Sequence, residues 1–211
     1  MEQAKKPFFP KVKWTKKLFF DSFFWLFIVM FILDIVSKWA VELNLKIGEE
    51  VALIPNFLYV THIYNKGAVF GVGDGTWWAR AIFIAISWIM SVVIFIYYRK
   101  NILTNGKLKN ATLMLIFSGA VGNLIDRTFY WGQNGAPNGV IDWIEFYLGG
   151  GPSKGASFWN PFAIFNWADA CITVGIIMLI IILLVESNKN EKNDEDDLSQ
   201  DPRLKEKDDA K

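Results

Sequence analysis

Long apolar runs separated by short polar stretches set the pattern of this chain. Crossing a bilayer as a helix takes about 20 mostly apolar residues. Four segments have that character: about Leu18 to Ala40, about Trp77 to Tyr98, about Ala111 to Ile125 and about Phe162 to Val185. Their charges are few. The first holds Asp21, Asp34 and Lys38, the second has none between Ala81 and Tyr98, the third ends at Asp126-Arg127, and the fourth holds only Asp169. The pattern predicts transmembrane helices rather than the buried core of a soluble protein, because no polar helices are left over to cover them. Lys5, Lys6, Lys11, Lys13, Lys16 and Lys17 precede the first segment as they would in a signal peptide. Its apolar run is long and no A-x-A-like cleavage site follows, so it reads as a retained helix.

The connections add detail. Glu50 to Tyr64 (EVALIPNFLYVTHIY) is rich in β-formers and bounded by Gly48 and Asn65-Lys66-Gly67. It predicts a small β-element, within about residues 46–76, between helices one and two. Gly71, Gly73 and Gly75 punctuate the approach to helix two, where Trp77 and Trp78 suit an interfacial aromatic belt. The architecture expected is therefore a mainly α membrane protein. A basic N-terminus spans 1–17, a four-helix membrane domain 18–187 and a charged tail 188–211. The stretch from Glu191 to Lys211 has almost nothing apolar and reads as disordered.

Composition narrows the chemistry. Over 211 residues the mean hydropathy is +0.25 despite that polar tail, so the apolar residues are concentrated in the helices. A net charge of +1 lacks the basic excess that nucleic acid demands. One Cys excludes an internal disulfide, and one His excludes most His-rich metal sites and His-based triads. His62 reads as a local hydrogen-bonding residue and Cys171 as a packing residue.

Lys and Arg placement orients the helices. Besides the N-terminal lysines, Arg99, Lys100, Lys107 and Lys109 fill the loop between helices two and three. Only Lys46 and Lys66 lie in the first outer loop, and Lys154 in the connection before helix four. The N-terminus, middle loop and C-terminus are thus expected inside. Asp34, Lys38, Asn123, Asp126, Arg127, Asp142, Asn166 and Asp169 then converge at the outer face from separate parts of the chain. Ionisable groups at that depth are costly and usually mark function. Asp34 and Lys38 are spaced to pair along one helix face, and Asp126 with Arg127 reads equally as a pair or as a substrate contact. Asp142 and Asp169 have no nearby sequence cation. Such carboxylates can share a proton and activate water, bind Mg²⁺ for group transfer, or conduct protons in a carrier. The residues alone leave a peptidase, a Mg²⁺-dependent membrane transferase and a proton-coupled carrier open.

Five short segments, taken together and in order, are more specific. They are Asp34-Ile-Val-Ser-Lys38, Asn65-Lys-Gly-Ala-Val-Phe70, Gly122-Asn-Leu-Ile-Asp-Arg127, Val140-Ile-Asp142 and Phe165-Asn-Trp-Ala-Asp169. On these the chain resembles the signal peptidase II family, intramembrane aspartic peptidases of bacteria, over roughly Leu18 to Val185. The resemblance implies a catalytic pair at Asp142 and Asp169, with Asp126 ranked behind them. It implies site-lining or substrate-holding roles for Asn65, Gly67, Ala68, Asn123, Arg127 and Asn166, and supporting roles for Asp34, Lys38, Asp126 and Ala168. No metal or cofactor is implied. The implied substrates are diacylglyceryl-modified prolipoproteins, cut just before the lipid-modified Cys, by a monomer in contact with membrane lipid in the bacterial inner membrane. Cyclic peptides of the globomycin type are the implied inhibitors. The sequence departs from the family pattern in a longer connection from Arg127 to Asp142, in Trp143 where Phe is expected, and in the Gly-rich run Gly149 to Gly155.

Overall fold

The computed structural model describes residues 8–65, 77–129, 139–155, 157 and 160–200. The first apolar segment is two helices, α1 (Lys16–Asp21) and α2 (Phe24–Asn44), where the hydrophobic pattern predicts one. Ser22 causes the break. Its hydroxyl donates to the Phe19 carbonyl at 2.8 Å and accepts from the Phe24 amide at 3.3 Å, closing one helix and opening the next. Such local bonding competes with the helical ladder. Phe23 takes the connecting left-handed conformation, with φ of 58°.

The other helices are α3 (Trp77–Asn101), α4 (Lys107–Phe129) and α5 (Trp167–Gln200). Among the described residues, four spans are long and apolar enough to cross a membrane: Phe24–Asn44, Ala81–Asn101, Lys107–Phe129 and Trp167–Asn193. The protein is thus a membrane protein with the expected four-helix plan. Helix α4 is central, packing against α2, α3 and α5 and burying the largest share of its span. The outer faces of α2, α3 and α5 leave Ile32, Val36, Ile89, Val93, Ile177 and Ile181 exposed, as lipid-facing surfaces require. At one end of the bundle Tyr98, Ile102, Leu113 and Met114 form a closed apolar cluster, and the Tyr98 hydroxyl donates to the Ser22 carbonyl at 3.1 Å.

Helix α5 runs further than the composition of the tail suggests. It continues through Glu191 to Gln200, where low hydrophobicity points to disorder. The composition argument concerns burial; Glu, Lys and Leu are nonetheless good helix formers, and an established apolar span nucleates the helix they extend.

Small residues let α4 approach its neighbours. A Cβ on Gly119 would collide with the Ala168 carbonyl oxygen and with the Ile172 side chain, and the first of these is backbone that cannot rotate away. We expect Gly119→Ala to separate α4 from the start of α5 and cost roughly 1–3 kcal/mol. Thermal unfolding in detergent measures this, and an unchanged midpoint would contradict the packing.

The β-element is larger than expected. Four antiparallel strands lie in the order β1 (Glu50–Ile54), β2 (Leu58–Asn65), β3 (Val140–Phe146) and β4 (Ala163–Phe165). Strands β1 and β2 come from the predicted segment between the first two membrane helices. Strands β3 and β4 come from the connection between α4 and α5, for which the sequence pattern predicts no strand. Asp142 and Glu145 interrupt the alternation of β3, so its own pattern is weak. Its pairing is set by the free edge that β2 presents, a tertiary determinant.

Candidate active site

The site is built around a buried ammonium. Lys38 is 1% exposed and one helical turn beyond Asp34 on α2. Its Nζ lies 2.7 Å from Asp34 Oδ2, 2.9 Å from Asp126 Oδ2 and 3.1 Å from Asn123 Oδ1. These three contacts use all three donors of the ammonium. The carboxylates also reach other elements. Asp34 Oδ1 accepts from the Ala168 amide at 2.9 Å, fixing α2 to the first turn of α5. Asp126 Oδ2 also accepts from the Ile141 amide at 3.4 Å, joining α4 to β3. Gly122 makes room for this cluster, since a Cβ there would strike the Asp34 carboxylate.

The start of α5 positions Asp169. Asn166 is the N-cap, its Oδ1 accepting from the Asp169 amide at 2.9 Å. Asp169 Oδ2 accepts from the Asn166 amide in return, at 3.2 Å. This is a reciprocal capping box with Asp in the usual Glu position. Asp169 Oδ1 accepts from Asn123 Nδ2 at 2.7 Å, so α4 fixes the second oxygen. The carboxylate also sits in the first turn, where the positive end of the helix dipole favours it.

Strand register positions Asp142. Pairing of β3 with β2 sets Asp142 opposite Ile63 and Val140 opposite Asn65. Pairing of β3 with β4 sets Ile144 opposite Phe165, so the chain leaving β4 enters α5 alongside Asp142. Asn65 Nδ2 donates to Asp142 Oδ2 at 3.0 Å, and Asn166 Nδ2 donates to Asp142 Oδ1 at 2.7 Å. Asn166 Nδ2 also donates to Asn123 Oδ1 at 3.1 Å. Two asparagines therefore link the carboxylates of Asp142 and Asp169. Asp142 is 2% exposed. Burial first, and the charge of Asp169 second, push its carboxyl up to about 7, against the opposing effect of hydrogen bonds from Asn65 and Asn166.

That shift has a consequence for stability. The folded value lies above the unfolded 3.8, so the folded state binds the Asp142 proton more tightly. Stability from this group is full below about pH 4 and is lost as pH rises to about 7. We expect Asp142→Asn to unfold at higher temperature than the wild type at pH 8, by on the order of 2–4 kcal/mol, and the gap to close near pH 4. Parallel melting curves across that range measure it; a gap independent of pH would contradict the shift.

The structure brings Asp34, Lys38, Asn65, Asn123, Asp126, Asp142, Asn166, Ala168 and Asp169 into one network. Gly67 and Ala68 lie outside the described residues. Of the two readings of Asp126 and Arg127, the structure does not show the pair: Asp126 is committed to Lys38, and successive helical residues do not face one another. Arg127 is half-buried on the same helix, and the carboxylates of Asp169, Asp142 and Asp126 are the charges that bear on it. His62 is buried, with Nδ1 2.8 Å from the Leu45 carbonyl oxygen, the local bond expected of it. Cys171 is buried in α5. Sequence reasoning passes over the Ile141 amide and the opening at Gly122; the second stands within the Gly122-Asn123 pair that opens the matched motif.

Chemically, the arrangement offers two carboxylates in unlike settings. One is held by Asn65 of β2 and by the α5 N-cap in a buried position that favours its proton, and the other by the first turn of α5 and the side chain of Asn123. Such pairs suit acid–base activation of water.

A family model described as signal peptidase (SPase) II matches residues 26–185. Two solved structures are similar over most of their length, both titled as bacterial membrane enzyme structures obtained by the in meso method. One, at 2.3 Å resolution, is 27% identical with a TM-score of 0.62, covering 85% of this chain and 94% of that one. The other, at 1.9 Å, is 28% identical with a TM-score of 0.59, covering 82% and 96%.

Proposed function

The chain belongs to the signal peptidase II family, and from that premise we propose that it is an aspartic endopeptidase with Asp142 and Asp169 as its catalytic pair. Its substrates are diacylglyceryl-modified prolipoproteins, cut just before the lipid-modified Cys at the outer face of the bacterial inner membrane. The observation that carries this reading is the linkage of the two carboxylates through Asn166 and Asn123, at 2.7 Å on each carboxylate. The cationic position between Asp34 and Asp126 is filled by Lys38, which leaves Asp142 and Asp169 as the pair with amide rather than ammonium partners.

In the proposed reaction Asp142 enters protonated and Asp169 ionised. A water placed between them attacks the scissile carbonyl carbon. Its proton goes to Asp169, and the Asp142 proton goes to the carbonyl oxygen, giving a neutral gem-diol. Collapse breaks the C–N bond as Asp169 passes its proton to the leaving amine and one diol hydroxyl returns a proton to Asp142. Both carboxyls finish as they began, so the cycle balances with water alone. In this reading Arg127, on which the charges of both Asp residues bear, steadies the negative charge that moves between them. Asn65, Asn123 and Asn166 hold the pair in register for the peptide.

The substrate assignment is tested with two forms of one prolipoprotein, with and without the diacylglyceryl group on Cys. We expect mass spectrometry to find a product beginning at the modified Cys and no cleavage of the unmodified form. Equal cleavage of both would overturn the lipid requirement. Inhibition by a globomycin-type cyclic peptide is expected to follow the same site.

A further inference from the structure

Far from the carboxylate pair, at the opposite end of α2, the N-terminal segment makes a surface that the peptidase reading does not use. Phe8, Trp14 and Phe20 are each more than half exposed, at 64%, 51% and 61%. Lys11, Lys13, Lys16 and Lys17 lie among them, and all four are exposed. The segment is not adrift. Lys100 Nζ stands 3.7 Å from the Phe8 ring centroid, the Arg99 guanidinium 5.9 Å from that of Phe9, and Val12 packs on the Tyr98 cluster. Lys107 bonds Asp21 at 2.9 Å, tying α1 to the start of α4. Aromatic rings and lysines are thus held together at the ends of α3 and α4.

The same segment lines an open apolar groove, with Trp14, Thr15, Phe19, Phe20, Phe24 and the stem of Lys16 along it. The groove lies where α1 gives way to α2 at Phe23. An open aromatic groove with Lys16 on it and Lys11, Lys13 and Lys17 nearby in the chain fits one chemistry: an acyl chain along the groove and a phosphate on the lysines. Long basic side chains lay their stems on apolar surface and raise the charge to the headgroup level.

We propose that this surface binds an anionic glycerophospholipid, with one acyl chain along the aromatic groove and the phosphate on the lysines from Lys11 to Lys17. Charge complementarity selects the anionic lipid over a zwitterionic one, since each Lys held near such a surface adds to the attraction. The site shares no residue with the Asp142–Asp169 pair, so it stands or falls separately from the peptidase assignment.

The test uses the full-length protein in detergent, with phosphatidylglycerol or phosphatidylcholine of matched chains added, and native mass spectrometry of the retained lipid. Wild type is expected to retain phosphatidylglycerol at least about tenfold better than phosphatidylcholine. Replacing Lys11, Lys13, Lys16 and Lys17 together with Gln is expected to abolish that preference, and replacing them with Arg to keep it. Phe20→Ala is expected to weaken retention of both lipids while preserving their ratio. Unaltered melting temperatures show that each variant is folded. Equal retention of the two lipids by wild type, an undiminished preference in the Gln variant, or retention unaffected by Phe20→Ala would overturn the proposal.

Discussion

Asn in place of Asp142 or Asp169 is expected to lower turnover at least about 10³-fold, with either substitution alone as damaging as both together. Each step of the proposed cycle needs one carboxyl to give a proton while the other takes one. An amide can do neither at neutral pH, and residues that act as a unit show strongly non-additive losses. The geometry favours a clean experiment. The amide introduced by Asp142→Asn retains an oxygen to accept from Asn65 or Asn166, and that introduced by Asp169→Asn retains one for Asn123 or the Asn166 amide. The variants should fold, and at pH 8 the Asp142→Asn protein should melt higher than wild type. Steady-state kinetics of both single variants and the double variant measure the effect. Near-normal turnover in either single variant would remove that residue from the reaction.

Lys38→Met is expected to be the most destabilising substitution near the site, by about 3–5 kcal/mol. It leaves Asp34 and Asp126 buried, each 1% exposed, without the cation that both contact at 2.7 and 2.9 Å. Uncompensated buried charge costs far more than the intact cluster contributes. Combining Lys38→Met with Asp34→Asn and Asp126→Asn should therefore recover a large part of the loss. Asp34→Asn alone should also lower the melting temperature, since Asp34 bonds both Lys38 and the Ala168 amide. Thermal unfolding of the series measures this. A Lys38→Met protein as stable as wild type, or a triple variant no better than the single one, would contradict a buried charge cluster.

These two groups differ in how plainly the sequence shows them. The Asp34–Lys38 pair is legible from helical spacing, because both partners lie on one predictable face. The shared face of Asn166 and Asp169 is equally local, though its capping-box geometry emerges only once α5 is seen to begin at Trp167. Topology already sets Asp142 among the outer-face carboxylates, but its catalytic role is legible only through the motif that carries it. Its place depends on β3 pairing with a strand far earlier in the chain, Asn65 and Asp142 being 77 residues apart. No local pattern carries such a pairing, and Asp142 and Glu145 weaken the alternation that would signal a strand. The four membrane spans are legible because length and hydrophobicity alone define them. The break at Phe23 is not, since it depends on two hydrogen bonds of the Ser22 hydroxyl. Arg127 shows the same limit in reverse. Adjacency to Asp126 suggests a pair, yet helix geometry turns Asp126 to Lys38.

The central claim, that Asp142 and Asp169 alone activate water, is tested most directly by cleavage of a diacylglyceryl-modified prolipoprotein by EDTA-washed wild-type protein, followed by gel shift. The account predicts an unchanged rate, with or without added Mg²⁺, and loss of that rate in the Asp142→Asn protein under the same conditions. A rate that disappears on chelation and returns with Mg²⁺ would contradict it and would make the carboxylates metal ligands instead.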